Sequence, residues 1–235
     1  MSIFGALTTN GMEVQKDSTG GYSPLETNIY TALVKNAYVT TSKNGAMAIN
    51  LILDIDGREY REQIWITNSK GENFFVNKKT GNKVALPGFT TINDICLVGI
   101  NKPLSECDTE PKVVKIYDFN AKAEVPREVP TIVELIGAAI KVGIVHQIVD
   151  KNVQDASGNY VPSGETREEN VIDKVFHEGT NLTVNEAKAE VTEATFFKKW
   201  LDKNKGVVRN KAKGASGSKA GSEGAPKKPT KSLFG

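Results

Sequence analysis

Ala46-Met-Ala-Ile-Asn-Leu-Ile-Leu-Asp-Ile55, then Asp56-Gly57, then Arg58-Glu-Tyr-Arg-Glu-Gln-Ile-Trp65 is the stretch that decides the fold. Met47, Ile49, Leu51, Leu53 and Ile55 recur at every second position, with Ala48, Asn50, Ile52 and Asp54 between them, the period of a strand half-buried on a core. Asp-Gly favours the positive backbone angles of a two-residue hairpin turn, so the chain is expected to reverse at 56–57 and return as a paired strand. On that returning strand Ile64 and Ile66 share the core face, which puts Arg61, Gln63 and Trp65 on the other.

Working outward, Asn28 to Thr41 also reads as a strand. On the other side, 68–87 is rich in Asn, Gly and Lys, with a short strand expected at Phe74 to Val76. Phe89 to Ile100 predicts a helix with Ile92, Ile95 and Cys96 inward, starting near Thr91-Ile-Asn-Asp94. Residues 101–128 read as a connector broken by Pro111 and Pro126, with one strand at Val113 to Phe119. A short helix is expected over Thr131 to Ile136. Ile140, Val142, Ile144, His146 and Ile148 alternate along a long strand, 155–165 is a polar turn, and Glu169 to His177 returns. Glu193 to Lys203 sets Phe196, Phe197 and Trp200 at helical spacing, which predicts core positions. The fold class expected is mainly β with added helices. Its specific form is a five-stranded OB barrel with a large insertion before strand four and a C-terminal helix, and an open mixed sheet is the rival.

Three regions follow from composition: an N-terminal arm over 1–27, one domain over 28–204, and a basic, disordered tail over 205–235. The chain has 235 residues and a formal charge of +2. That sum hides an asymmetry, because 205–235 holds eight Lys/Arg against Glu223, a net charge near +7, while the body is near −5. The body therefore attracts a polyanion only through a local basic stripe, whereas the tail attracts one by itself. Met-Ser-Ile-Phe at the start has no basic segment leading into an apolar run, so a cytoplasmic protein with reduced Cys96 and Cys107 is expected, with no membrane span.

Candidate chemistry concentrates between the first strand and residue 83. Flat rings alternate there with cations, the two ingredients that hold single-stranded nucleic acid by stacking and phosphate neutralisation. The candidate contacts are Lys35, Tyr38, Arg58, Tyr60, Arg61, Trp65, Phe74, Phe75, Lys78 and Lys79. Each has a plainer reading beside it: Trp65 covering a sheet, Arg61 a solvated charge, Tyr38 and Tyr60 barrel-edge core. Phe74 and Phe75 point oppositely, so at most one is core. Nothing predicts catalysis, a cofactor or a metal. Cys96, Cys107, His146 and His177 lack zinc-ligand spacing, His146 reads as a buried core histidine, and Asp54 with Asp56 reads as a hairpin before it reads as a nuclease pair.

The strings Lys35-Asn-Ala-Tyr38, Gly57-Arg-Glu-Tyr-Arg-Glu62, Thr67-Asn-Ser-Lys-Gly-Glu-Asn-Phe-Phe75, Leu86-Pro-Gly-Phe-Thr-Thr-Ile-Asn-Asp-Ile95, Val129-Pro-Thr-Ile-Val-Glu-Leu-Ile-Gly137 and Gly164-Glu-Thr-Arg-Glu-Glu-Asn-Val-Ile-Asp173, in that order, resemble a family of bacteriophage single-stranded DNA-binding proteins with an OB core. The resemblance spans roughly 28–200. It implies a non-catalytic protein of replication or recombination, in the host cytoplasm, that coats single-stranded DNA and meets replication proteins. Many such proteins end in an acidic tail; this tail is basic and ends in Leu233-Phe234-Gly235, which points to direct help with DNA, duplex included. A protein-docking scaffold is the alternative, and a metal-dependent nuclease a remote one.

Overall fold

The computed structural model describes residues 23–118, 121–155, 158 and 160–213. In chain order it contains β1 (Asn28–Thr41), β2 (Met47–Ile55), β3 (Arg58–Trp65), β4 (Phe74–Val76), β5 (Lys83–Ala85), α1 (Pro87–Ile100), β6 (Glu110–Asp118), β7 (Ala123–Thr131), β8 (Ala139–Gln154), β9 (Tyr160–His177), α2 (Val184–Lys188), α3 (Thr195–Asn204) and β10 (Val208–Asn210). The protein is mainly β. Strands β1, β2 and β3 form the expected meander, and Asp56 and Gly57 both take positive φ (52° and 80°), as a hairpin turn matching the strand twist requires. The Asp54 side chain braces the turn by accepting from the Gly57 N–H at 2.8 Å.

The sheet runs β3-β2-β1-β8, with β9 beside β8. Its inner face gathers Val34, Ile49, Leu51, Leu53, Ile64, Ile140, Val142 and Ile144, and α1 plugs that face with Ile92, Ile95 and Cys96. Burying such side chains stabilises the fold by roughly 1.5–3 kcal/mol each. Helix α3 covers the outer face of β8 and β9, where Trp200 packs with Val145 and Phe176.

A closed barrel was expected and the sheet is open: among the described residues no ladder joins β3 to β9. The reason lies in Glu62. It stands opposite Leu51, on the inward face of β3, and its carboxylate accepts from the Ile172 N–H of β9 at 2.9 Å and from the Tyr60 hydroxyl at 2.6 Å. A side chain fills the place of a backbone ladder, and an inward polar group on an edge strand opposes further pairing. Burial pushes the Glu62 carboxyl up to about 7, against the two hydrogen bonds that favour its charged form. Between its ordinary value of 4.5 and about 7 the folded chain holds a proton that the unfolded chain has lost, so stability falls as pH rises across that window. Glu62→Gln should remove a pH dependence on the order of 2–3 kcal/mol. Denaturant titrations of both proteins across the window check this, and parallel curves would refute it.

Other expectations change in detail. The connector over 101–128 is the antiparallel hairpin β6–β7, attached to β1 by the pair Tyr38 and Thr131. Pro111, Pro126 and Pro130 sit inside its strands, which edge positions tolerate because no partner needs the missing N–H. Phe119, the expected end of that strand, lies outside the described residues. The expected helix over 131–136 shrinks to one 3-10 turn at Val133–Leu135. Helix α1 begins at Pro87, whose fixed φ suits a first helical position, so Thr91 is an interior residue, not a cap. His146 is half-buried and pairs with Glu168 at 3.1 Å.

The boundary at 204 also moves. Strand β10 runs parallel to β8, and Arg209 donates to Asp173 and Asn204, so residues 205–213 belong to the body. Val207-Val208 is a short β-favouring run inside a segment read by composition. At the other end Leu25 exchanges two hydrogen bonds with Asn170, at 2.7 and 2.8 Å, and the Thr27 hydroxyl accepts from the His146 N–H, so 23–27 lie on the body as well. The rest of the expected arm, 1–22, and of the expected tail, 214–235, lies outside the described residues.

Candidate nucleic-acid interface

Because the inward positions of β2 are Ile49, Leu51, Leu53 and Ile55, everything between them faces out, and the register aligns three cross-strand rows. They are Asn36–Ile52–Arg61, Tyr38–Asn50–Gln63 and Thr40–Ala48–Trp65 on β1, β2 and β3. The middle of this outer face is a polar band: Asn50 donates to Thr40 at 2.8 Å, and Gln63 donates to both Thr40 and Asn50 at 3.3 Å. At one edge Trp65 leaves 45% of its surface exposed. At the other, Arg61 is held by Glu59 at 2.5 Å and by Glu124 at 3.1 Å. These hydrogen bonds to carboxylates raise the Arg61 pKa further, so its charge is fixed.

Glu124 comes from β7. That strand joins the sheet at Tyr38 on β1, yet its Glu124 reaches Arg61 on β3, so the hairpin passes over this end of the outer face. Tyr38 shares the outward row of Asn50 and Gln63 but is 8% exposed, and burial raises its hydroxyl pKa.

Of the ten expected contacts, the structure brings Tyr38, Arg61 and Trp65 onto this face. Lys35 sits at a bulge in β1 and pairs with Asp54 at 3.7 Å. Tyr60 is corrected: it faces the core opposite Leu53, with its hydroxyl bound to Glu62, so its ring is not open for stacking. Arg58 shares that inward parity at the end of β3, and its guanidinium donates to the Ser23 carbonyl. Phe74, Phe75, Lys78 and Lys79 form a separate unit, the hairpin β4–β5. In it Phe74 is half-buried beneath the Lys83 ammonium, 4.2 Å from the ring centroid, and Phe75 is exposed; neither belongs to the core.

Four residues of the face were not singled out as contacts: Thr40, Asn50, Gln63 and Glu124. Alternation already placed Gln63 beside Trp65, but the band needs the cross-strand register, which depends on a bulge at Lys35.

Among the described residues no group of three His, Cys, Asp or Glu is arranged to hold a metal ion, and no helix is long and apolar enough to cross a membrane. Asp54 is engaged in the turn and with Lys35. Burial pushes the Cys96 thiol up, which makes it unreactive. Comparison with known proteins returns no match, either to a family model or to a curated protein.

Proposed function

We propose that the outer face of β1–β3 binds single-stranded DNA with little regard to sequence, as a non-catalytic cover for exposed strands during phage replication or recombination. The observation that supports this best is the alignment of an exposed Trp65, a polar amide band and Arg61 on one face of the β1–β3 meander. A ring stacks on any base, amides accept or donate to base edges and sugars, and a guanidinium meets phosphate, so the face holds a strand without reading it. Phosphate reaching Arg61 displaces Glu124, exchanging one anion for another.

In this reading β3-β2-β1-β8-β9 is an OB-type barrel left partly open, with Glu62 spanning the seam that a full barrel would close. Chain 214–235, with four of the basic residues, adds a sequence-blind attraction that extends to duplex. The cytoplasm of a host cell and contact with replication proteins belong to the same proposal.

Trp65→Ala tests it. Each stacked base contributes about 1–3 kcal/mol, so affinity for a thymine oligonucleotide should fall roughly tenfold or more. Unchanged affinity in a folded Trp65→Ala protein would take Trp65 out of the site. One observation favours a docking scaffold instead: at the far end of β8–β9, Val153 pairs with Val161 and both are exposed, beside a Tyr160 that is 73% exposed. Failure to bind any oligonucleotide would favour that reading.

A further inference from the structure

The hairpin β4–β5 differs in chemistry from the face beside it. From Asn73 to Leu86 there is no Asp or Glu, and none of Lys78, Lys79 and Lys83 has an ion-pair partner among the described residues. By contrast, Arg61 on the outer face is matched by two carboxylates, and Lys35 at the β1 bulge by one. Compared with the outer face, the hairpin therefore carries its positive charge unmatched.

Its apolar side chains are uncovered as well. Phe75 and Val84 pair across the two strands, at 47% and 38% exposure, and Val76 is open on the opposite side. The unit is stiffened where it matters: the Leu86 N–H donates to the Asn73 carbonyl at 2.9 Å to close the base, and the Gly81 N–H donates to the Asn77 carbonyl at 2.8 Å at the tip. It follows directly on the Trp65 end of β3, after one turn in which the Asn68 N–H donates to the Glu72 carbonyl at 2.9 Å.

We propose that β4–β5 is a finger that grips the end of a duplex where a single strand leaves it, which makes single-strand/duplex junctions the preferred nucleic acid. The inference rests on the outer face being the single-strand track. Duplex DNA has about one charge per 1.7 Å of axis, twice the density of one strand, so its phosphates are the strongest complement to clustered lysines. A terminal base pair presents a flat apolar plane, which a continuous duplex lacks, and Phe75 with Val84 supplies an aromatic and an aliphatic group of matching character. The departing strand then meets Trp65 next.

Three probes test this with the full chain: a thymine oligonucleotide, the same oligonucleotide as an overhang on a duplex, and a closed circular duplex that has no ends. The unsubstituted protein should bind the overhang roughly tenfold tighter than the free oligonucleotide, the gain of one stacked plane. Phe75→Ala combined with Lys78→Ala and Lys79→Ala should abolish that preference while leaving the free oligonucleotide within about twofold. The closed circle reports what the basic chain end and the two lysines contribute without a duplex end, and should lose clearly less affinity than the overhang. A protein that binds the free strand through Trp65 yet shows no junction preference overturns the finger alone. An equal loss on all three probes overturns it too, since the hairpin is then a general cation source. Failure to bind any strand overturns both the finger and the track.

Discussion

Trp200→Ala should lower the free energy of unfolding by about 3–5 kcal/mol, a large share of what holds a domain of this size together. The indole is 3% exposed and packs with Val145 and Phe176 under α3. It lies so close to β8 that a Cβ on Gly143 would stand 2.9 Å from its Cζ2 atom, so the strand has no side chain that could refill the space. Its Nε1 donates to Asp173 at 2.7 Å, and Arg209 donates to the other carboxylate oxygen at the same distance. Burial alone would push the Asp173 carboxyl up; the hydrogen bonds from Arg209 and Trp200 outweigh it and hold it below the ordinary value. Removing the ring thus opens a cavity and strips a donor from a half-buried charge. Denaturant unfolding reads the result directly, and a loss under about 1 kcal/mol would mean that α3 contributes little to the body.

Gly88→Ala should be nearly as damaging, although helices ordinarily favour alanine by about 1 kcal/mol. A Cβ there would stand 2.1 Å from the Trp65 carbonyl oxygen and 3.0 Å from the Ile64 side chain. The atom met is backbone, so either α1 lifts from the core or the end of β3 is displaced. A cost of about 3 kcal/mol is expected, the upper part of the range for overpacking. Because β3 carries Trp65, single-strand affinity should fall with stability. A stable Gly88→Ala protein with normal affinity would show that α1 does not press on the end of β3.

The meander β1–β3 was legible because two independent signals agree, the period-two alternation of β2 and the Asp56-Gly57 turn. The same alternation sorts the candidate site. It puts Arg61 and Trp65 outside with Gln63, and it puts Tyr60 inside with Ile64; reading Tyr60 as a contact gave aromatic character precedence over parity. What stayed hidden depends on contacts remote in sequence. Prolines in β6 and β7 look like breakers until the strands are known to lie at an edge. Helix α2 is five residues long, too short for periodicity, although Thr183 and Glu186 form a capping box, and Glu186 also accepts from the Phe196 N–H at the start of α3. Strand β10 is three residues in a basic, polar run and acquires its structure from β8. The open seam follows from one inward carboxylate, which the sequence shows as an ordinary glutamate on a polar strand.

The central claim is that single-stranded DNA lies on the outer face against Trp65, and the protein contains its own probe for it. It has two tryptophans, Trp65 exposed and Trp200 buried, so fluorescence quenched by a stacked base reports on Trp65 alone. Thymine oligonucleotide titrated into the unsubstituted protein and into Trp65→Phe, with binding followed in parallel by anisotropy of a labelled strand, separates contact from affinity. Quenching that tracks binding in the first protein and disappears in Trp65→Phe, where the phenyl ring still supports binding, is the predicted result. Binding without quenching, or quenching that persists in Trp65→Phe, would place the DNA elsewhere on the molecule.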